Sequence, residues 1–223
     1  SDMGSALVYV CIFACMAFAA GVALRWFALG IFGAGAGFYL LWELDKIPPY
    51  MKERFQVLVD HSLYPLGAGW QQTRSLMAIG GGRLTGQGLL HGAQTQSTSS
   101  VNLPFRHTDF IFAVICEQLG QVFGVLLLAV YVLLILRGVT VVARARRSFE
   151  MLLGCGVLTM LGIQTFMIVA GVIKMIPLTG VTMPFLSYGG SSLLSCMAMI
   201  GILHGASARA QENLEEDILC VRG

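Results

Sequence analysis

Phe110 to Leu136 reads FIFAVICEQLGQVFGVLLLAVYVLLIL, and its only strongly polar side chains are Glu117, Gln118 and Gln121. A helix needs about 20 apolar residues to cross the hydrocarbon layer of a bilayer, so this run decides the class of fold: a membrane-spanning α-helix. Directly before it stand Arg106, His107, Thr108 and Asp109. An ionisable side chain at a membrane boundary is unfavourable enough to require a reason, which makes Asp109 the first functional candidate.

Four more apolar runs surround this one, at 5–24, 27–41, 151–173 and 190–206. The run at 27–41 is short for a span, but Trp26 and Trp42 bracket it as interfacial anchors do. The expected fold is therefore all-α: a polytopic integral membrane bundle of about five transmembrane helices, one membrane domain over 1–223, with a large loop at 43–108 and a tail at 207–223. Composition agrees, with 56% hydrophobic and 12% charged residues and a mean hydropathy of +0.75. The net charge of +2 is small, and Arg144, Arg146 and Arg147 read as a juxtamembrane cluster rather than a polyanion groove, so no nucleic acid is expected. Cys11, Cys15, Cys116, Cys155, Cys196 and Cys220 show neither CxxC nor zinc-ligand spacing and read as apolar packing residues. The sequence opens at Ser1 without a basic leader or a small-residue cleavage site, so no signal peptide is expected and the chain reads as a piece of a longer protein.

Basic residues orient the bundle. Arg25, Arg137, Arg144, Arg146, Arg147 and Arg209 fall on one side, against only Lys174 in the opposite short loop. The positive-inside rule makes the first side cytoplasmic. Loop 43–108, Asp109 and the 174–188 segment then face outward, and the 207–223 tail inward. Within the large loop, 50–60 and 71–79 read as short interfacial helices, and Ser97 to Ser100 as a polar tip. The run Gly81 to Gly88 lacks the Lys-Ser/Thr pair that a phosphate-cradling loop places after its last glycine; it reads as flexible backbone able to approach a ligand or another helix.

At 100° per residue, Ala113, Cys116, Gly120 and Gly124 lie near the azimuth of Asp109. Gly120 and Gly124 form a GxxxG pair, a face suited to close helix packing, so Asp109 is expected to point into the bundle. Glu117 lies roughly 80° away and deeper on the same helical period, as a supporting residue or the partner of a buried donor. The plainer alternative for Asp109 is a helix-start anion stabilised by the macrodipole, with Thr108 or His107 near the cap.

Four segments carry a family resemblance: His107 to Gly120 (HTDFIFAVICEQLG), Pro184 to Ser192 (PFLSYGGSS), Pro65 to Gln71 with Gln72 and Ser75, and Gly88 to Gln96 (GLLHGAQTQ). Together they resemble the SEDS family of RodA- and FtsW-type cell-wall glycosyltransferases, and the Gly88 to Gln96 stretch is closer to the RodA type. The chain departs from the family pattern at Phe105, commonly acidic, at Gln87, commonly Lys, and at Ser1 to Gly4, a loosened PDLG.

The resemblance implies a ten-helix enzyme of which this chain is the second half, set in the bacterial plasma membrane with its active face outside the cytoplasm. It implies that Asp109 is essential for polymerising lipid II into glycan strands, and that a class B penicillin-binding protein is the partner, alongside membrane lipids. In such a reaction a sugar hydroxyl attacks an anomeric carbon and expels a polyprenyl diphosphate. A glycosidase needs a second acid for a poor leaving group; here the departing charge can be met by Arg, Lys or a divalent cation. Asp109 is the expected base and Arg106 the first diphosphate ligand, with Lys174 and Arg83 after it. His107, Thr108, Gln71 and Gln94 are further substrate-binding candidates. Ser187, Tyr188, Gly190 and Ser191 are expected to line the opposite wall, because Pro177, Pro184 and the paired glycines interrupt helix there. The cofactor is left open by the sequence, with a divalent cation, magnesium or manganese, and Asp109 as its ligand, as the one candidate. Rivals from other classes are a flippase or transporter for a lipid-linked precursor and a non-catalytic scaffold of a cell-wall synthase.

Overall fold

A computed structural model describes residues 3–44, 46, 51–52, 68–95, 103–145 and 147–222. The short helix expected at 50–60 lies almost wholly outside these, and the polar tip at 97–100 entirely so. Among the described residues the regular structure is helical: α1 (Met3–Ala19), α2 (Leu24–Glu43), α3 (Ala68–Gly82), α4 (Ile111–Leu119), α5 (Gln121–Val142), α6 (Ser148–Val172) and α7 (Gly190–Arg222). Helices α2, α5 and α6 are long and apolar enough to cross a membrane, and Gly4–Ala19 and Gly190–Gly205 are shorter apolar helices. The chain is a polytopic helical membrane protein. The helix expected at 71–79 is α3, longer at both ends, and α7 runs on past 206 to Arg222.

Helix α6 is the hub, in contact with α1, α3, α4, α5 and α7. Its Met167 joins Val8 of α1 and Val181; Val157 and Leu161 join Cys196 of α7; Ile168 and Val172 join Phe110, Phe112 and Met183. A helix leaves its last carbonyls without intrahelical partners, and α3 supplies donors for those of α6. Gln72 Nε2 donates to the carbonyls of Gly171 and Ile176, both at 3.2 Å, and Ser75 Oγ donates to Val172 O at 2.9 Å. Lys174 completes the junction by donating to Thr73 Oγ1 at 3.0 Å. Gln72 and Ser75 are fully buried, so these bonds form away from water, where an unmade one costs about 1–3 kcal/mol.

The apolar run 110–136 is not one helix. Gly120 adopts φ 92° and ψ 165°, a region that glycine enters freely and other residues do not, and a Cβ there would collide with Leu84 O and lie 2.6 Å from Gly86 N. The chain turns so sharply that Cys116 Sγ comes within 2.6 Å of where a Cβ on Gly124 would sit. The GxxxG expectation is corrected accordingly: counting azimuths at 100° per residue assumes an unbroken helix, and Gly120 is a corner rather than a packing face.

The glycine-containing turn after α3 plugs this corner. Gln121 N–H donates to Arg83 O at 2.9 Å and Val122 N–H to Leu84 O at 3.4 Å, while Gln87 and Gly88 donate to the carbonyls of Glu117 and Gln118 at 2.9 and 3.1 Å. Every peptide group freed by the break named here is satisfied by protein, the condition for irregular backbone in a membrane protein.

Candidate active site

Asp109 sits in a tight turn between two buried anchors, Leu103 and Phe110. Phe105 takes a left-handed φ of 53°. Its carbonyl accepts from Thr108 N at 3.1 Å, Phe110 N at 3.4 Å and Thr108 Oγ1 at 3.2 Å. The turn closes on itself and presents residues 106–109. Helix α4 begins only at Ile111, with Phe110 as its N-cap and no side-chain cap bond among the described residues. Thr108 and His107 therefore do not cap it; the Thr108 hydroxyl is held by Phe105.

A second wall is built by 183–188. Ser187 Oγ accepts from Met183 N at 2.8 Å and donates to Thr108 O at 2.7 Å, and Tyr188 N–H donates to His107 O at 2.8 Å. The two stretches that sequence groups together are thus joined at His107 and Thr108, the residues just before Asp109. Gly180 closes the arrangement, its Cβ position 4.0 Å from Asp109 Oδ2, and Asp109 is half-buried.

The wall is recessed into the bundle. Phe185 packs on the cluster of Val157, Leu161 and Cys196, near the middle of α6, and the Tyr131 hydroxyl donates to Pro184 O. Tyr131 is central in α5, so the 183–186 turn lies alongside that helix rather than beyond its end. Leu127, Val130, Tyr131, Leu134, Phe185 and Leu186 line an apolar groove of about 220 Å³ beside the turn.

Of the expected cations, Arg106 shares the turn that ends at Asp109. Its Nη1 donates to Thr95 O and its Nε to His107 Nε2 at 3.2 Å. Lys174, at a left-handed φ of 63°, is committed to Thr73 at the α3–α6 junction, and burial pushes its ammonium pKa down from the usual value. Arg83 is exposed and gives its carbonyl to the Gly120 corner. Gln71 is half-buried on α3 beside Gln72. Gln94 Oε1 accepts from Arg74 Nη1 at 2.8 Å, and its N–H donates to Glu117 Oε1 at 2.7 Å. Gly190 and Ser191 open α7 and are exposed, with Ser191 O accepting from Ser195 Oγ at 2.9 Å. The Tyr188 ring is 82% exposed, whereas Ser187 is buried with its hydroxyl bonded on both sides. Gly180, Thr95 and Tyr131 are participants that sequence reasoning passes over; for Gly180 the signal was its place in the proline- and glycine-broken segment after α6.

Among the described residues no three His, Cys, Asp or Glu side chains are grouped to hold a metal ion.

Residues 1–212 match the family model for FtsW, RodA and SpoVE, described as "Cell cycle protein". Among curated relatives, the chain is 38% identical to "Peptidoglycan glycosyltransferase MrdB" of Escherichia coli (strain K12) over 202 residues, covering 91% of this chain and 54% of that protein. It is 36% identical to "Probable peptidoglycan glycosyltransferase FtsW" of Geobacter sulfurreducens (strain DL-1 / KN400), covering 93% and 54%. It is 36% identical to "Stage V sporulation protein E" of Bacillus subtilis (strain 168), covering 92% and 54%. The chain thus spans about half the length of the curated relatives it matches. A chain of the solved structure "Structural coordination of polymerization and crosslinking by a peptidoglycan synthase complex" superposes with a TM-score of 0.75 at 29% identity, over 94% of this chain and 56% of that one.

Proposed function

The chain belongs to the FtsW/RodA/SpoVE family, and from that premise we propose that the protein carrying it polymerises lipid II into glycan strands, with Asp109 as general base. The observation that carries the reading is the half-buried Asp109, which follows directly on His107 and Thr108, the residues whose carbonyls the 183–188 wall bonds, with its carboxylate 4.0 Å from the position a Cβ on Gly180 would take.

In this reading the acceptor hydroxyl gives its proton to Asp109 as its oxygen bonds the anomeric carbon of the donor, and the bond from that carbon to the polyprenyl diphosphate breaks. The diphosphate leaves with the bonding pair, so no second acid is required, and Arg106 meets the developing charge. Arginine suits this task because its planar fork stays charged and donates several N–H groups at once. The apolar groove along Leu127 to Leu134 takes part of a polyprenyl chain arriving from the bilayer. The site faces outward from the cytoplasm, by the distribution of Arg25, Arg137, Arg144 and Arg147 at the other end. The crosslinking partner is a class B penicillin-binding protein, a reading supported by the synthase complex to which the fold is similar.

The test is the full-length protein in lipid nanodiscs with a lipid-linked disaccharide. Glycan strands that disappear in Asp109→Asn support the reading. Substrate moved across the membrane without polymer would assign the protein to transport instead, and polymerisation untouched by the substitution would remove Asp109 from its role.

A further inference from the structure

Glu117 has no task in the reaction above, yet it is a carboxylate with 0% exposure. Burying such a group is strongly unfavourable unless it is bonded. Its Oε1 accepts from Gln94 N at 2.7 Å. Its Oε2 and the hydroxyl of Thr95 are buried atoms that, among the described residues, carry no hydrogen-bond partner. Both abut one residue, Gly92, where a Cβ would collide with Thr95 Oγ1 and lie 2.6 Å from Glu117 Oε2. Glycine at 92 is what lets the turn close over the carboxylate. The same turn is drawn onto α4 by Ala93 N–H donating to Gln87 Oε1 at 2.9 Å, beside the Gln87 N–H bond to Glu117 O. One residue beyond Gln94, the carbonyl of Thr95 receives Arg106 Nη1.

These bonds form a chain: Glu117, the Gln94 N–H, the Thr95 carbonyl, the Arg106 guanidinium. We propose that Glu117 is a positioning residue that grips the Gly92–Thr95 turn from beneath and thereby sets where Arg106 meets the diphosphate of the substrate. The Thr95 hydroxyl lies against the same glycine as Oε2 without a hydrogen bond to it, so the grip runs through the Gln94 N–H. The inference rests on the proposed role of Arg106, but the grip itself is a statement about the turn and is testable without enzymology. The electrostatic requirement is an acceptor in place, not a charge. Glutamine keeps an oxygen for Gln94 N–H, whereas alanine leaves that N–H without its acceptor.

The experiment uses the full-length protein in nanodiscs, polymerising a lipid-linked disaccharide. Glu117→Ala is expected to lower kcat/KM by roughly 10-fold to 100-fold through displacement of Arg106. Glu117→Gln is expected to stay within about threefold of the parent, because the acceptor survives. The decisive comparison is made in an Arg106→Ala background, where adding Glu117→Ala should lower the rate by less than about twofold, since residues acting through one another are not additive. An undiminished loss in that background, or a glutamine variant as impaired as the alanine one, overturns the proposal.

Amide hydrogen exchange at residues 92–95 separates the grip from the reaction. Exchange at Gln94 should rise in Glu117→Ala and in Gly92→Ala but not in Asp109→Asn; unchanged exchange in the first two sinks the grip whatever the activity. Absence of polymer from the parent protein would fail the functional reading while leaving the exchange result to judge Glu117. Should Glu117→Ala not fold, Gly92→Ala, whose Cβ would collide with Thr95 Oγ1 and lie 2.6 Å from Glu117 Oε2, forces the turn off the carboxylate instead, with a fall of roughly 3-fold to 10-fold expected; no change in either rate or exchange counts against the proposal.

Discussion

Helices α2 and α6 are both apolar and uncharged through their interiors, yet α6 buries ten residues against its neighbours while α2, among the described residues, buries none. Both contain several glycines, so composition does not separate them. The ends do. The last turn of α6 is held by Gln72, Ser75 and the Lys174–Thr73 pair, and its flanks carry Phe110, Phe185 and Cys196. An apolar sequence brings a helix into the membrane; specific polar bonds at its end decide what it can position there.

The sharpest way to break this comparison is at the site itself. Asp109→Asn should lower polymerisation by roughly 10²-fold to 10⁴-fold, the usual contribution of a positioned base; the rate of glycan synthesis on lipid-linked disaccharide reads it, and a loss smaller than tenfold would leave Asp109 without that role. Next in size is the core of the hub. Leu161 is fully buried between α5 and α7, so Leu161→Ala should destabilise the protein by about 2–5 kcal/mol, seen as a lower unfolding midpoint in detergent or nanodiscs.

A smaller effect is expected where the two walls meet. Ser187→Ala removes the bond to Thr108 O and strips Met183 N–H of its acceptor, a loss of about 1–3 kcal/mol. Activity should fall with it, and a variant with full stability and full activity would show that the wall stands without this hydroxyl. The smallest belongs to α2: Leu29 is 68% exposed, and Leu29→Ala should shift stability by no more than about 0.5 kcal/mol. A large shift there would mean that α2 is packed in the intact protein, which sharpens the contrast by locating a missing neighbour.

The membrane fold was legible because apolar runs of span length leave few alternatives, and α2, α3 and α6 form where such runs or helical periodicity put them. The corner at Gly120 was not legible: its flanks are apolar and periodic on both sides, and only the backbone bonds to Arg83 and Leu84 show that the ladder stops there. For the same reason the Gly81 to Gly88 run read as adaptable backbone without a destination. Within the candidate site, His107 to Asp109 and Ser187 to Tyr188 stood out as polar motifs beside apolar helices, and the structure joins them. Lys174 and Arg83 stood out for charge alone, which does not say what a side chain touches. The bonds of Gln94 and Glu117 connect residues 23 apart in sequence through a main-chain N–H that leaves no trace in residue type.

The Gly120 corner has a mechanical consequence. On either side of it, peptide groups that a continuous helix would share between neighbouring turns are passed to the 83–88 segment. Twisting or tilting of α5 as the surrounding lipid thickens or thins is therefore not transmitted rung by rung along a single rod to residue 109. What links α5 to the carboxylate sideways is instead the Tyr131 hydroxyl, which holds Pro184 O in the same wall whose Ser187 bonds Thr108 O, so the long helix reaches the site through its flank and not through its end.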